Sequence, residues 1–422
     1  MKIAIIGAGI SGNTIAWHLH QAHEITVFEA ESHVGGHTHT HQIQAFGQQY
    51  DIDTGFIVYN DWTYPNFIQM LETLGVETQP SNMSFSVQDE VSGLEYNGTN
   101  LNSLFAQRLN IFRPSFLVMI KDILRFNKEA PLLLDDHQSD MPFAEYLQKN
   151  GYKDKFIEHY IIPMGSAIWS ATPEQVLAFP AKFFIRFFHH HGMLSVSDRP
   201  QWRVIKGGSK AYVDKLTASF KEKIQTNTSI EQVTRTHDGV IIKAKNKQAQ
   251  HFDWVFFACH SDQALAMLQD ASDDEREILA AIPYQLNQIV LHSDAKLMPK
   301  KKLAWAAWNY HISAHPLNLA AVTYNMNILQ SISSAEPILV TLNHSANINP
   351  KKIIKTLYYQ HPVFSPAAVA AQARHASISG VNHTAYAGAY WRNGFHEDGV
   401  VSALAALAHF KQAQLDKVSV NE

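Results

Sequence analysis

The chain opens on a run of apolar positions, Lys2 to Ile6, that stops at Gly7-Ala8-Gly9-Ile10-Ser11-Gly12 and passes into a helical stretch through Ala16. A second short run (Ile25, Val27, Phe28) then ends on Glu29. Beyond it a polar stretch, His37 to His41, leads to a turn at Gly47, and Tyr50 to Tyr59 alternates like one strand of a hairpin. Tyr64 to Leu74 predicts a helix ended by Gly75, and Met83 to Gln88 with Gly93 to Tyr96 predicts a second hairpin. From Leu101 to His191 the apolar spacing becomes helical, with prolines as breaks. Strands are expected again at Trp202 to Lys206, Ser229 to Arg235, Val240 to Ala244 and Trp254 to Ala258, with a helix from Ser209 to Phe220. The next strands, Asn287 to His292, Trp305 to Tyr310, Ala320 to Asn325 and Ile338 to Leu342, lack interleaved helices and predict an antiparallel sheet. A last strand, Ala385 to Gly388, precedes an Ala-rich helix, Gly399 to Gln414.

The glycines between the first strand and the first helix give this pattern its chemistry. Gly7 permits the tight turn, Gly9 lets backbone amides approach a pyrophosphate, and Gly12 lets the helix sit close to the sheet. Ile10 and Ser11 stand at the helix N-terminus that faces the phosphates, and Glu29 falls where a carboxylate accepts both hydroxyls of an unphosphorylated ribose. FAD or NAD is therefore expected over NADP. The predicted fold class is α/β plus α+β, with a Rossmann-like dinucleotide-binding domain assembled from residues 1–80, 200–285 and 376–422. A substrate domain is expected from 81–199 and 286–375, with a helical insertion at 101–199.

Composition narrows the remaining classes. A chain of 422 residues with 46% hydrophobic content exceeds one core, so two to three lobes are expected. A net charge of −4 with no clustered basic surface argues against a nucleic-acid partner. The single cysteine, Cys259, excludes an internal disulfide and any dithiol pair, which fits a reducing, cytoplasmic location. No apolar run reaches the length of a bilayer span, although peripheral membrane contact stays open. His37, His39 and His41 would share one strand face, a spacing a metal can use. No carboxylate or thiol joins them in sequence and they fall where the pyrophosphate is expected, so no metal is assigned.

Extended through Ala30, Gly35, Gly36 and Thr38, the N-terminal pattern resembles the long FAD fingerprint of the flavin amine oxidase superfamily, which includes amine oxidases, protoporphyrinogen oxidases and carotenoid desaturases. The likeness runs from end to end. Gly-His-Thr at 36–38, Ile168-Trp169-Ser170 and Gly394 to Gly399 are similar to a bacterial group of NAD/FAD-binding proteins. The resemblance implies that Thr54-Gly55-Phe56-Ile57 runs along the isoalloxazine and that Ile230 pairs with the adenine through its backbone. It implies further that Gly388, and Gly399-Val400 at the last helix, reach the flavin and phosphate. Two departures stand out: His37 replaces the family's arginine, leaving one imidazole hydrogen bond for phosphate, and Ala389 replaces an acid.

No second glycine fingerprint is present for a separate NAD(P)H domain, so the resemblance implies that electrons come from the substrate. On the substrate side it singles out Tyr390, Trp391, Phe395 and His396, with Phe395 as a cage aromatic and His396 as the proton-handling group. Arg392 is a fixed cation on the same loop. The family's lysine would align with Asn287 to Asp294, where His292 and Asp294 are the polar groups instead. Non-covalent FAD is expected to take a hydride from a C–H bond of an apolar small molecule, such as an unsaturated acyl chain or polyene, or of an amine. Dioxygen or another acceptor would reoxidise it. A redox-neutral double-bond isomerase of lipids and a non-catalytic flavin-binding protein remain the alternatives, and the oligomeric state is left open.

Overall fold

The structure is a computed structural model that describes residues 1–136, 140–314 and 319–420. Its first unit is the expected one: β1 (Lys2–Ile6), α1 (Ile10–Leu19) and β2 (Glu24–Phe28), followed by a hairpin of β3 (Thr40–Ala45) and β4 (Gln48–Asp53). Then come α2 (Pro65–Thr73) and the pair β5 (Phe85–Asp89) and β6 (Glu95–Asn97). In the helical stretch two elements matter here, α3 (Pro114–Glu129) and α4 (Ala181–His190). The chain continues through α5 (Lys210–Thr217), β7 (Ile224–Gln225) and β8 (Trp254–Phe257). Five long-range strands follow: β9 (Tyr284–His292), β10 (Trp308–Ile312), β11 (Val322–Asn325), β12 (Leu339–Leu342) and β13 (Ile353–Pro362). Last are β14 (Thr384–Tyr386) and α6 (His396–Val420).

Two sheets organise these elements. A parallel sheet runs β7-β2-β1-β8-β14, its central strands buried on both faces as the unbroken apolar runs Ile3–Ile6 and Trp254–Phe257 require. A seven-stranded sheet runs β13-β9-β12-β11-β10-β5-β6 and is antiparallel except between β10 and β5. Ile289, Leu291, Val322 and Val340 point from it into the largest core, which also takes Phe183, Phe184, Phe187 and Phe188 of α4. The four phenylalanines thus seal the helical stretch against the sheet. Trp308 and Tyr310 belong to the same packing, whereas Trp305 lies outside β10 and donates through Nε1 to the Pro299 carbonyl at 2.7 Å. No helix among the described residues is long and apolar enough to cross a membrane.

Three expectations are corrected. The edge strand β13, ten residues long, lies past the last strand that the sequence predicts in this sheet. The Tyr50 to Tyr59 strand breaks after Asp53, because that buried carboxylate accepts from the Ser209 amide and from the Thr40 hydroxyl, turning the chain away from the hairpin. The last helix starts at His396 rather than Gly399, because Asp398 reaches back to accept from the Phe395 amide at 2.9 Å and caps the turn.

A buried ion pair joins the small sheet that follows β7 to the parallel sheet. Arg235 binds Glu275 at 2.8 Å, and Glu275 also accepts from the Tyr386 hydroxyl at 2.7 Å; the Arg235 and Glu275 side chains are 4% and 1% exposed. Removing Arg235 strands the Glu275 carboxylate in the interior, whereas Arg235 itself has a second partner in Asp270 at 2.8 Å. Arg235→Ala is expected to lower unfolding free energy by roughly 3–5 kcal/mol in a urea titration, and a loss under about 1 kcal/mol would show that the pair is solvated.

Candidate functional site

The site begins where β1 meets α1. Gly7 has φ +105°, and a Cβ there would lie 2.6 Å from the Ala258 carbonyl oxygen at the end of β8. Gly12 could not carry a Cβ without overlapping the Gly7 carbonyl. Gly9 is the contrast: a Cβ there would meet nothing within 4 Å, so the backbone borders open space. No side chain caps α1, and its internal hydrogen bonds start with the Asn13 amide donating to the Gly9 carbonyl at 2.9 Å. The amides of Ile10, Ser11 and Gly12 precede that bond, and an anion above Gly9 is their natural acceptor. Gly35 and Gly36, both at positive φ, return the chain against this turn, and Gly35 donates to the Ala8 carbonyl at 2.8 Å.

Glu29 is pinned at the end of β2. Its Oε2 accepts from the Ala8 amide at 2.8 Å and its Oε1 from the Glu31 amide at 2.9 Å, which leaves each oxygen a lone pair for a ribose hydroxyl. Ala30 lies between those two contacts in sequence. Ile230 starts the small sheet near the strand end, where the Thr228 amide donates to the Glu29 carbonyl at 2.8 Å.

α6 crosses α1 at the glycine turn. A Cβ on Gly399 would lie 2.6 Å from Ile10 Cγ2, and Ser11 Oγ donates to the Gly399 carbonyl at 2.9 Å. Gly399 therefore serves the helix crossing, and its amide is already given to the Phe395 carbonyl at 3.0 Å. With the helix starting at His396, the amides open at this terminus are those of His396, Glu397 and Asp398. Val400 is buried beneath the same crossing, with Phe56 and Tyr212. Gly388 donates its amide to Ser402 Oγ at 2.9 Å, so that amide is also engaged within the protein.

His396 is the centre of the arrangement. Its ring stacks on Phe56 at 3.5 Å, and its Nε2 lies 2.7 Å from the Tyr212 hydroxyl and 2.9 Å from Thr38 Oγ1. Burial holds its pKa well below the ordinary imidazole value, with the nearby His37 acting in the same direction. Phe395 stacks on Phe187 at 5.1 Å and lines a cleft of about 400 Å³ with Trp62, Tyr64, His191, Arg392 and Asp398. Burial raises the Asp398 carboxyl to about 6. Tyr390 and Trp391 do not join this group. They are buried in a different core, Trp391 stacked on His375 at 4.2 Å and Tyr390 edge-on to Tyr284.

A second wall is built from imidazoles. His37 Nε2 bonds the Gln360 carbonyl of β13 at 3.1 Å, so this ring nitrogen cannot serve a phosphate as expected. Burial lowers the pKa of His37 to about 4 and of His361 to about 3, which keeps both neutral. Tyr359 of β13 bridges to Thr54 Oγ1 at 2.7 Å and to His39 Nδ1 at 3.2 Å. Gly55 packs against the His37 carbonyl so closely that a Cβ would overlap it, and the Phe56 amide donates there at 2.8 Å. Ile57 is buried in the largest core. His33 stacks on His39 at 3.9 Å, and His41 lies tilted by 43° against the same ring at 3.9 Å. Among the described residues no cluster of three or more His, Cys, Asp or Glu side chains is placed to hold a metal. His292 and Asp294 lie elsewhere: His292 bonds Thr341 on the sheet face opposite the main core, and Asp294 accepts from the Lys296 and Asn349 amides.

The family model for flavin containing amine oxidoreductases matches residues 10–310. The chain belongs to that family. An L-amino-acid oxidase of Siganus canaliculatus is 24% identical over 315 residues, covering 67% of this chain and 54% of that protein, so the chain spans about half the length of that relative. Among solved structures, the CLA-producing fatty acid isomerase from P. acnes superposes with TM-score 0.69 at 19% identity, covering 97% of this chain and 98% of that one. Cyclohexylamine oxidase from Brevibacterium oxydans IH-35A gives TM-score 0.69 at 15% identity, over 98% and 99%. At these identities the likeness is one of fold.

FAD is the cofactor that membership in this flavoprotein family implies, and the residues fit it. The open space over Gly9, the unpaired amides of α1 and the spare lone pairs of Glu29 are the donors and acceptors that a pyrophosphate and a ribose require. Cys259 abuts Gly7 through its backbone and burial pushes its thiol up to about 12, so it offers no thiolate for a covalent link. Sequence reasoning missed Tyr212, Tyr359 and His361. The last two were accessible, since Leu357, Tyr359 and His361 recur every second residue along β13. Glu29→Ala is expected to weaken FAD binding by about 1–3 kcal/mol in a fluorescence titration, and unchanged affinity would remove Glu29 from the ribose site.

Proposed function

We propose that the protein takes a hydride from a C–H bond of an apolar small molecule, an unsaturated acyl chain or a polyene, with an amine as the second substrate class. FAD, when bound, supplies the hydride acceptor at flavin N5, and dioxygen or another oxidant restores it. The observation that carries this reading is the character of the groups around Thr54 to Phe56: aromatic rings and histidines that burial keeps neutral, with no lysine on β9. Such walls complement a substrate without charge at the reacting carbon.

The side chains divide the work. Ile10, Ser11 and Gly12 hold the phosphates, and Glu29 holds the ribose. Phe395 and Phe187 give the cleft an apolar wall, and Arg392 stands half-exposed at its rim, where it can receive the carboxylate of an acyl chain. His396 is read as a neutral hydrogen-bonding group. Thr38 and Tyr212 engage its Nε2, and its Nδ1 has no partner among the described residues. It holds a proton at a fixed atom instead of exchanging one with solvent near neutral pH.

Two measurements test this reading. Anaerobic mixing with unsaturated fatty acids or polyenes is expected to bleach the flavin absorbance, whereas rapid bleaching by simple amines alone would overturn the apolar assignment. Double-bond migration in the absence of any acceptor would make the protein an isomerase instead. Because the His396 pKa lies below its ordinary value, the ring stays neutral as pH rises, so the reduction rate should show no inflexion from His396 between about pH 6 and 8. An inflexion near pH 6.5 that disappears in His396→Gln would contradict the neutral role.

A further inference from the structure

The helical insertion carries an unusual surface. The turn Arg108–Phe112 that leads into α3 exposes Leu109, Ile111 and Phe112 at 73%, 51% and 80%. Along α3, Phe116, Met119 and Phe126 face the core, and the opposite side presents Leu117, Lys121, Leu124 and Lys128 in one stripe at helical spacing. Single exposed apolar residues are ordinary, but these are contiguous with one another and alternate with cations. Residues 108–129, the turn and the whole of α3, contain Arg108, Arg113, Lys121, Arg125 and Lys128 against the two acids Asp122 and Glu129, a net of +3 in a chain whose total is −4. Asp122 is itself buried and paired with Arg125. Arg108, Arg113, Lys121 and Lys128 make no ion pair among the described residues, and Arg108 is held by the Asn102 and Phe105 carbonyls at 3.0 Å.

We infer that this face, the Arg108–Phe112 turn with the outer stripe of α3, docks the protein onto an anionic lipid surface. The occupant follows from the combination. Protruding Leu, Ile and Phe side chains insert at the boundary of headgroups and acyl chains, while flanking Arg and Lys meet lipid phosphates and lay their alkyl stems along the apolar layer. A protein partner of ordinary kind would leave the four unpaired cations without acceptors unless it were strongly acidic. The inference does not rest on the substrate reading, because it concerns a surface formed by the insertion alone.

The test is co-sedimentation of the FAD-loaded protein with vesicles of phosphatidylglycerol and phosphatidylcholine, against phosphatidylcholine alone, at about 0.1 M salt. Binding is expected to the mixed vesicles and not to the neutral ones, and to weaken as salt is raised. Leu109→Ser with Phe112→Ser, and separately Arg113→Glu with Lys121→Glu, should each cut the bound fraction roughly tenfold or more. Flavin content and far-UV circular dichroism should stay unchanged in both. Wild-type protein that stays in solution with anionic vesicles would overturn the inference, as would variants that bind like the wild type. A dimer in light scattering that Phe112→Ser splits into monomers would assign the face to a second copy and equally overturn it.

Discussion

The contact on which the site depends is the crossing of two helix N-termini over one glycine turn. α1 and α6 arrive from opposite ends of the chain, and they meet so closely that Gly399 has no room for a Cβ against Ile10, while Gly12 has none against the Gly7 carbonyl of the turn beneath. Ser11 locks the crossing by donating to the Gly399 carbonyl. Two sets of unpaired amides are thereby brought to one place, where partial positive charge accumulates without any cationic side chain. A diphosphate with two attached rings is the anion such a place can hold. On the proposed reading the amides of Ile10, Ser11 and Gly12 would carry the anion, so that no arginine is needed at His37.

The same economy of charge extends to the chamber. His37, His361 and His396 are kept neutral by desolvation, which outweighs any benefit that a nearby carboxylate would give. Their hydrogen bonds are made to a carbonyl and to hydroxyls, so the rings stay oriented without being charged. The carboxylates nearest the site do structural work: Asp53 holds the start of α5, Glu397 accepts from the Asn66 and Phe67 amides at the start of α2, and Asp398 caps α6. Each fixes an element that bears a site residue. These polar groups are therefore committed to geometry, which is what the proposed apolar substrate requires.

The sequence showed the part of this arrangement that is local. The glycine turn, Glu29 and the two-sheet architecture follow from residues close together in the chain, and the structure places them as expected. What failed to show was set by contacts distant in sequence. His396-Glu397-Asp398 reads as a polar loop, and it becomes the first turn of a helix because Glu397 finds α2 and Asp398 turns back to Phe395. β13 reads as mixed because it is an edge strand with one face exposed and the other only half-buried, Tyr359 and His361 being turned to the site by pairing with β9. Tyr390 and Trp391 carry the composition of a cage but are drawn into the core beside Tyr284 and His375. Arg392 and Asp398 stay beside Phe395 at the cleft, and these two aromatics do not.

The central claim is that backbone amides at this crossing hold FAD without a covalent bond. The most direct measurement is the absorption spectrum of the purified protein before and after denaturation and filtration. The account predicts flavin bands in the native protein that pass wholly into the filtrate once the chain unfolds. A colourless protein that takes up no added FAD would contradict it, and so would flavin that stays attached to the unfolded chain.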